Sequence, residues 1–214
     1  DPGEVLDVLV ASTDSCPLRL IRSILSGPID IDKMDYLVRD SLHAGVPYGM
    51  NFDQQRLIGS LVLNQARDGL AVSEKGRTAA EMMFFSRYVM FSEVYWHHAV
   101  RSATAMLQRA FFTLHGQLDV DSLFRMTERA MISELQRAAE AGSAHELLDG
   151  LFGSTRRLYK RVAQFSCFQV EKVYQSLSRR PYAWLVACGD ELANLASKKL
   201  GLRVAPDVPP KTFI

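Results

Sequence analysis

Cysteine is scarce in this sequence. The 214 residues hold three, Cys16, Cys167 and Cys188, far apart and with no C-x-x-C pair. An odd, scattered set argues against a disulfide framework or a zinc knuckle and makes a reducing cytoplasm the default setting. No apolar run approaches the roughly 20 residues that a membrane-spanning helix needs, and the start carries no cleavable signal pattern. Neither sign of charge is in excess, with 25 Lys and Arg against 24 Asp and Glu. That balance supplies no long-range pull towards nucleic acid or an anionic membrane, so neither is expected as a partner. The opening Asp-Pro-Gly-Glu-Val-Leu holds no initiator Met, and the end stops on an apolar pair, Phe213-Ile214. On both counts the chain reads as part of a longer protein.

What is present is apolar and helical in pattern. Hydrophobic residues make up 48% of the chain, enough for the core of one large domain or one and a half small ones. Apolar stripes predict helices over 17–26, closed by Gly27-Pro28, and over 32–44, closed by Gly45 and Pro47, with a short turn of helix at 53–59. Leu61-Val62-Leu63 and Leu70-Ala71-Val72 flank Asp68-Gly69, a hairpin signal. A single long helix is expected from Gly76 to His115, since no proline interrupts it. Thr127 is placed to cap a helix running to Gly142. Ser143 and Glu146 fit a capping box for 144–152. Arg157–Phe165 reads as a short strand, and 168–179 and 182–200 as helices, the second opened by Pro181 and closed by Gly201. The expected class is mainly α, with one or two small β ribbons.

The informative stretch is Asp30-Ile31-Asp32-Lys33-Met34-Asp35-Tyr36-Leu37-Val38-Arg39-Asp40. On a helix, Asp32, Tyr36, Asp40 and His43 share one side, while Met34, Leu37, Val38 and Leu42 take another. An aromatic ring between two short carboxylates suits a pocket wall. Spacing alone does not require that: an Asp near a helix start is often a cap, and Asp35 with Arg39 is spaced for a surface ion pair.

This segment, followed by Gly45-Val46-Pro47-Tyr48-Gly49, resembles a signature of the HD-superfamily deoxynucleoside triphosphohydrolases. The run from Arg87 to His98, then Val100-Arg101-Ser102, is similar to the bacterial, dGTPase-like members, and Glu74-Lys75-Gly76 also fits. The resemblance is strongest over 27–49 and extends over 70–102. It implies an HD-domain-like helical bundle, with residues 1–115 its C-terminal part and 116–214 a helical HD-associated region. It implies Asp32 as the last ligand of a divalent metal (Mg, Mn, Fe or Zn) and Lys33 and Arg87 as phosphate contacts. Tyr36, Asp40 and Tyr95 would form the deoxyribose pocket. The implied reaction is hydrolysis of a dNTP, the substrate partner, by a metal-activated water at the α-phosphorus, which releases deoxynucleoside and triphosphate.

One departure limits this. An HD site needs a His and an adjacent His-Asp pair before the final Asp, and none of His43, His97, His98, His115 and His145 precedes Asp32 or is followed by Asp. No catalytic residue is therefore assigned within the chain, which is expected to be inactive by itself. His97 and His98, about 100° apart on a helix, do not chelate together. Arg156, Arg157, Lys160 and Arg161 form a basic cluster of the kind that usually faces solvent. Related enzymes assemble with regulatory nucleotide sites, so the resemblance implies a homo-oligomer and admits a regulatory nucleotide. Two other functions stay open: an HD hydrolase of another nucleotide phosphoester, and a non-catalytic nucleotide-sensing or oligomerisation module.

Overall fold

A computed structural model describes residues 2–10, 16–140 and 142–201. As the patterning predicts, these are mainly helical, with one two-stranded ribbon. The chain divides into two units, Asp1–His97 and His98–Ile214, each with its own buried apolar cluster. No helix among the described residues is long and apolar enough to cross a membrane.

The first unit begins with α1 (Pro2–Leu9), to which no sequence signal pointed, and α2 (Cys16–Ser26). Helix α3 (Ile31–Ala44) has defined ends. The Asp30 side chain, at the N-cap, accepts from the Lys33 N–H at 2.8 Å, and Gly45 closes the helix at φ 68°. An L side chain is strained at that φ, and glycine is not. Met34 and Leu37 point into the core, Leu37 with no exposed surface. Beyond Gly45 the chain folds back on α3. Ser41 Oγ donates to the Val46 carbonyl and accepts from the Gly49 N–H. A 3-10 turn at Tyr48–Met50 then leads to α4 (Gln54–Ile58). Gly49 lies so close that a Cβ there would stand 2.0 Å from the Leu37 carbonyl oxygen.

Strands β1 (Leu61–Leu63) and β2 (Leu70–Val72) pair antiparallel in the register Leu61↔Val72, Val62↔Ala71, Leu63↔Leu70. The Asn64 side chain binds the Asp68 N–H and carboxylate across the connecting turn. A 3-10 turn at Glu74–Gly76 opens α5 (Arg77–Met90), which buries Ala79, Ala80, Met83 and Met90 against Leu37 and Leu57.

The expected long helix is interrupted. After Met90 the chain enters a π turn, Phe91–Tyr95, in which the Trp96 N–H bonds the Phe91 carbonyl at 2.9 Å. Residues 96–97 leave the helix, and α6 runs His98–Leu114. The reason is local chemistry combined with tertiary contact. Val94, Tyr95 and Trp96 are poor helix formers, and Tyr95 makes contacts described below.

In the second unit α6 packs on α9 (His145–Phe152). Between them come a 3-10 turn at His115–Gln117, α7 (Val120–Leu123) and α8 (Glu128–Ala138). Thr127 does cap α8, accepting from the Ala130 N–H. Ser143 does not cap α9. Its N-cap is Ala144, already at helical φ and ψ, which carries no side-chain cap bond. Arg157–Phe165 is not a strand, because no second strand lies beside it among the described residues. α10 (Glu171–Leu177) is shorter than forecast. α11 (Tyr182–Leu200) begins after Pro181 and ends at Gly201, as expected.

Candidate functional site

The first turn of α3 and the end of α2 line a cleft of about 480 Å³. Asp30, Asp32, Lys33, Asp35, Tyr36 and Arg39 contribute from the α3 side, and Leu25 and Ser26 from α2. Helical spacing explains the grouping, since positions 32, 35, 36 and 39 fall within one band of the surface.

Most of the charges in the cleft are spoken for. Asp30, 3% exposed, holds the Lys33 ammonium in an ion pair as well as capping the helix. The same ammonium donates to the Gly27 carbonyl at 3.0 Å, which leaves one N–H free to point elsewhere. Arg39 Nε donates to Asp35 Oδ2 at 3.0 Å, a bond that raises the guanidinium above its ordinary value. Asp32 is the one charged group of the cleft without an ion pair among the described residues, and it faces solvent.

A second cluster joins α3 to the π turn. The Tyr95 hydroxyl donates to Asp40 Oδ2 at 2.8 Å, across 55 residues of chain. Arg39 Nη1 lies 3.8 Å from Asp40 Oδ1. The Tyr95 ring meets Tyr36 edge-on at 6.2 Å and Phe91 edge-on at 5.1 Å. Burial, then the hydrogen bond to Asp40 and its negative charge, push the Tyr95 hydroxyl well above the usual tyrosine range. The Arg87 guanidinium sits 5.1 Å over the Phe91 ring, so Arg87, Phe91 and Tyr95 form a continuous row. Arg87 Nε is buried with no hydrogen-bond partner among the described residues.

The sequence-assigned residues therefore fall into two groups. Asp32, Lys33 and Tyr36 line the cleft. Asp40, Tyr95 and Arg87 do not line it, but Tyr36 touches Tyr95 and so links the groups. His43, on the expected face, is exposed. Asp30, which neither helical spacing nor the resemblance singles out, is the most buried carboxylate of the site. The signal for it was Asp30-x-x-Lys33, an N-cap spacing that also places the lysine within reach. A metal fits the site only in part. Asp32 is an available carboxylate, but the described residues contain no group of three or more His, Cys, Asp or Glu side chains that could hold an ion.

Comparison with known proteins places these residues in context. The profile of a family described as HD associated region matches residues 52–197. An uncharacterized protein of Methanocaldococcus jannaschii is 33% identical over 154 residues, which is 70% of this chain and 32% of that one. The uncharacterized YwfO protein of Bacillus subtilis is 36% identical over 108 residues, 50% of this chain and 24% of its own. A putative HD domain-containing protein of Acanthamoeba polyphaga mimivirus is 32% identical over 110 residues, 51% of this chain and 22% of its own. The chain thus spans a third or less of these relatives' lengths. The crystal structure of a hypothetical protein from Aquifex aeolicus aligns with a TM-score of 0.59 at 28% identity, covering 71% of this chain and 40% of that one.

Proposed function

The chain belongs to the HD-associated region family, and from that premise we propose that it forms part of a dNTP triphosphohydrolase. In this reading it supplies the sugar pocket, the phosphate contacts and one metal-binding carboxylate. The observation that carries the proposal is the meeting of Asp40 with Tyr95, and of Tyr95 with Tyr36, from segments 55 residues apart. The resemblance assigns those three residues to one deoxyribose pocket, and a deoxyribose needs what they offer together. Asp40 has one oxygen committed to Tyr95 and a side chain 35% exposed, so it can still accept from a sugar 3′-hydroxyl. The Tyr36 ring provides a rigid wall against C2′, where a ribose hydroxyl would lose its water without gaining a partner.

The phosphate side follows from charge. Lys33 keeps one ammonium N–H free of its two bonds. Arg87 has a buried Nε without a partner among the described residues, a state that buried donors rarely keep unless another group completes it. Asp32, solvent-facing and without an ion pair among the described residues, is suited to a divalent cation, whose remaining ligands would come from outside those residues. That cation would supply an activated water and charge neutralisation when bound.

The test is Asp32→Ala in a longer protein that carries the HD segment. Triphosphate release from dGTP should be lost and bound metal should fall; turnover like the wild type would remove the proposal. A nucleotide-sensing module without chemistry of its own is a second reading, favoured by the incomplete metal set among the described residues. It predicts nucleotide binding by that same longer protein with no triphosphate release even before mutation.

A further inference from the structure

Residues 156–166 pass from the second unit's core to the turn at 167–169 with no helix, turn or bend of their own. Their start is fixed. The Arg157 N–H donates to the Gly150 carbonyl at 2.8 Å, and the Tyr159 carbonyl accepts from Ser102 Oγ at 2.8 Å. Leu158 and Tyr159 pack on the buried cluster of that unit. From Lys160 the chain leaves the core. Residues 160–165 are all exposed, Val162 at 97%, and their backbone N–H and C=O groups find no partner among the described residues. The composition is that of a strand: Leu158, Tyr159, Val162 and Phe165 favour the pleated conformation, and no glycine or proline interrupts the run. A run anchored at its start, with an open row of donors and acceptors, offers an added strand what a sheet edge offers.

Charge selects the occupant. Arg156, Arg157, Lys160 and Arg161 lie on this run with no acid among them. Arg157 is paired with Asp149, and Arg161 bonds the neutral Gln164. Like charges directly opposite one another destabilise a strand pair, which weighs against a second copy of the same segment. An oligonucleotide would answer the charges and make no use of the row of peptide donors and acceptors. We propose that residues 156–166 are a strand-addition site for an acidic, extended polypeptide segment. The proposal is independent of the nucleotide reading, since it draws on none of that site's residues.

The experiment is amide hydrogen exchange, followed by NMR on the 214-residue chain. The probe is a peptide of about ten residues alternating Glu and Val, which matches the two-residue period of a strand. A Lys-Val peptide and an oligothymidylate of similar length serve as controls. The Glu-Val peptide should slow exchange at alternate amides between Lys160 and Phe165, and the controls should not. Arg161→Pro and Val162→Pro remove N–H groups on opposite edges of the strand. One of the two should therefore cost about tenfold in peptide affinity and the other little. Both positions are exposed, and the thermal midpoint reports whether the variants fold. Replacing Arg156 and Lys160 together by Glu should transfer preference to the Lys-Val peptide. Protection by oligothymidylate instead, protection that grows with protein concentration alone, or no protection at all would each overturn the proposal.

Discussion

Removing one oxygen from Tyr95 tests the contact between α3 and the π turn. In Tyr95→Phe the ring keeps its edge contacts with Tyr36 and Phe91 and loses only the donor to Asp40. A hydrogen bond to a charged acceptor is worth about 1.5–3 kcal/mol. The Asp40 side chain is 35% exposed, so water can replace part of it, and the expected loss is about 1 kcal/mol. For a chain of this length that is a fall of about 2–4 °C in Tm. The pH dependence adds an independent check. Folding raises the Tyr95 hydroxyl above its ordinary value, by burial first and the Asp40 bond second. The unfolded chain gives up that proton near pH 10, while the folded one retains it. The hydroxyl's contribution is therefore whole below about pH 10 and is lost as pH rises beyond it. Urea denaturation of wild type and Tyr95→Phe should show a constant gap from pH 7 to 9 that closes above pH 10. A cycle with Asp40→Ala should return a coupling energy of similar size. A gap that is absent at pH 7, or that does not change on alkalinisation, would refute the reasoning.

Two further outcomes are expected. Tyr36→Ala, in a longer protein with the HD segment, should narrow the dNTP-to-rNTP ratio of kcat/KM by about tenfold or more; equal loss on both sugars would make Tyr36 a structural residue. Gly49→Ala should destabilise the first unit by about 1–3 kcal/mol, because the new Cβ meets the Leu37 carbonyl oxygen. An unchanged urea midpoint would mean that the turn at 48–50 shifts freely.

How much of this was legible in the sequence varies with the range of the forces involved. Helix α3 could be read in full, because its apolar stripe and its closing Gly45 are local signals. So could the ribbon, where two three-residue apolar runs flank Asp68-Gly69. The π turn could not be read. No glycine or proline marks it, and the tertiary part of its reason lies in Asp40, 55 residues away. The strand forecast at 157–165 failed for the opposite cause, since strand propensity is local while a strand also needs a neighbour. In the site, resemblance indicated Asp40 and Tyr95, and the two do meet. Lys33 was assigned to phosphate without notice of Asp30, which holds its ammonium from a buried position. Spacing alone does not say which of three nearby carboxylates a lysine will choose; burial decided in favour of Asp30.

The turn at Phe91–Tyr95 makes residue count, as well as residue type, a constraint on Tyr95. In an α-helix each residue advances the bearing of its side chain by about 100°. A π turn closes its hydrogen bond over one residue more, and so sets the next side chains on a different bearing without breaking the backbone ladder. An ordinary helix wound through residues 91–95, with no change in their number, would also keep the peptide groups bonded. It would swing Tyr95 by about 90° and take its hydroxyl off Asp40. By taking up one residue more than an α turn, the π turn brings Tyr95 back to the bearing of Asp40. The turn works as an indexing step: it fixes, in whole residues, the direction in which one hydroxyl points.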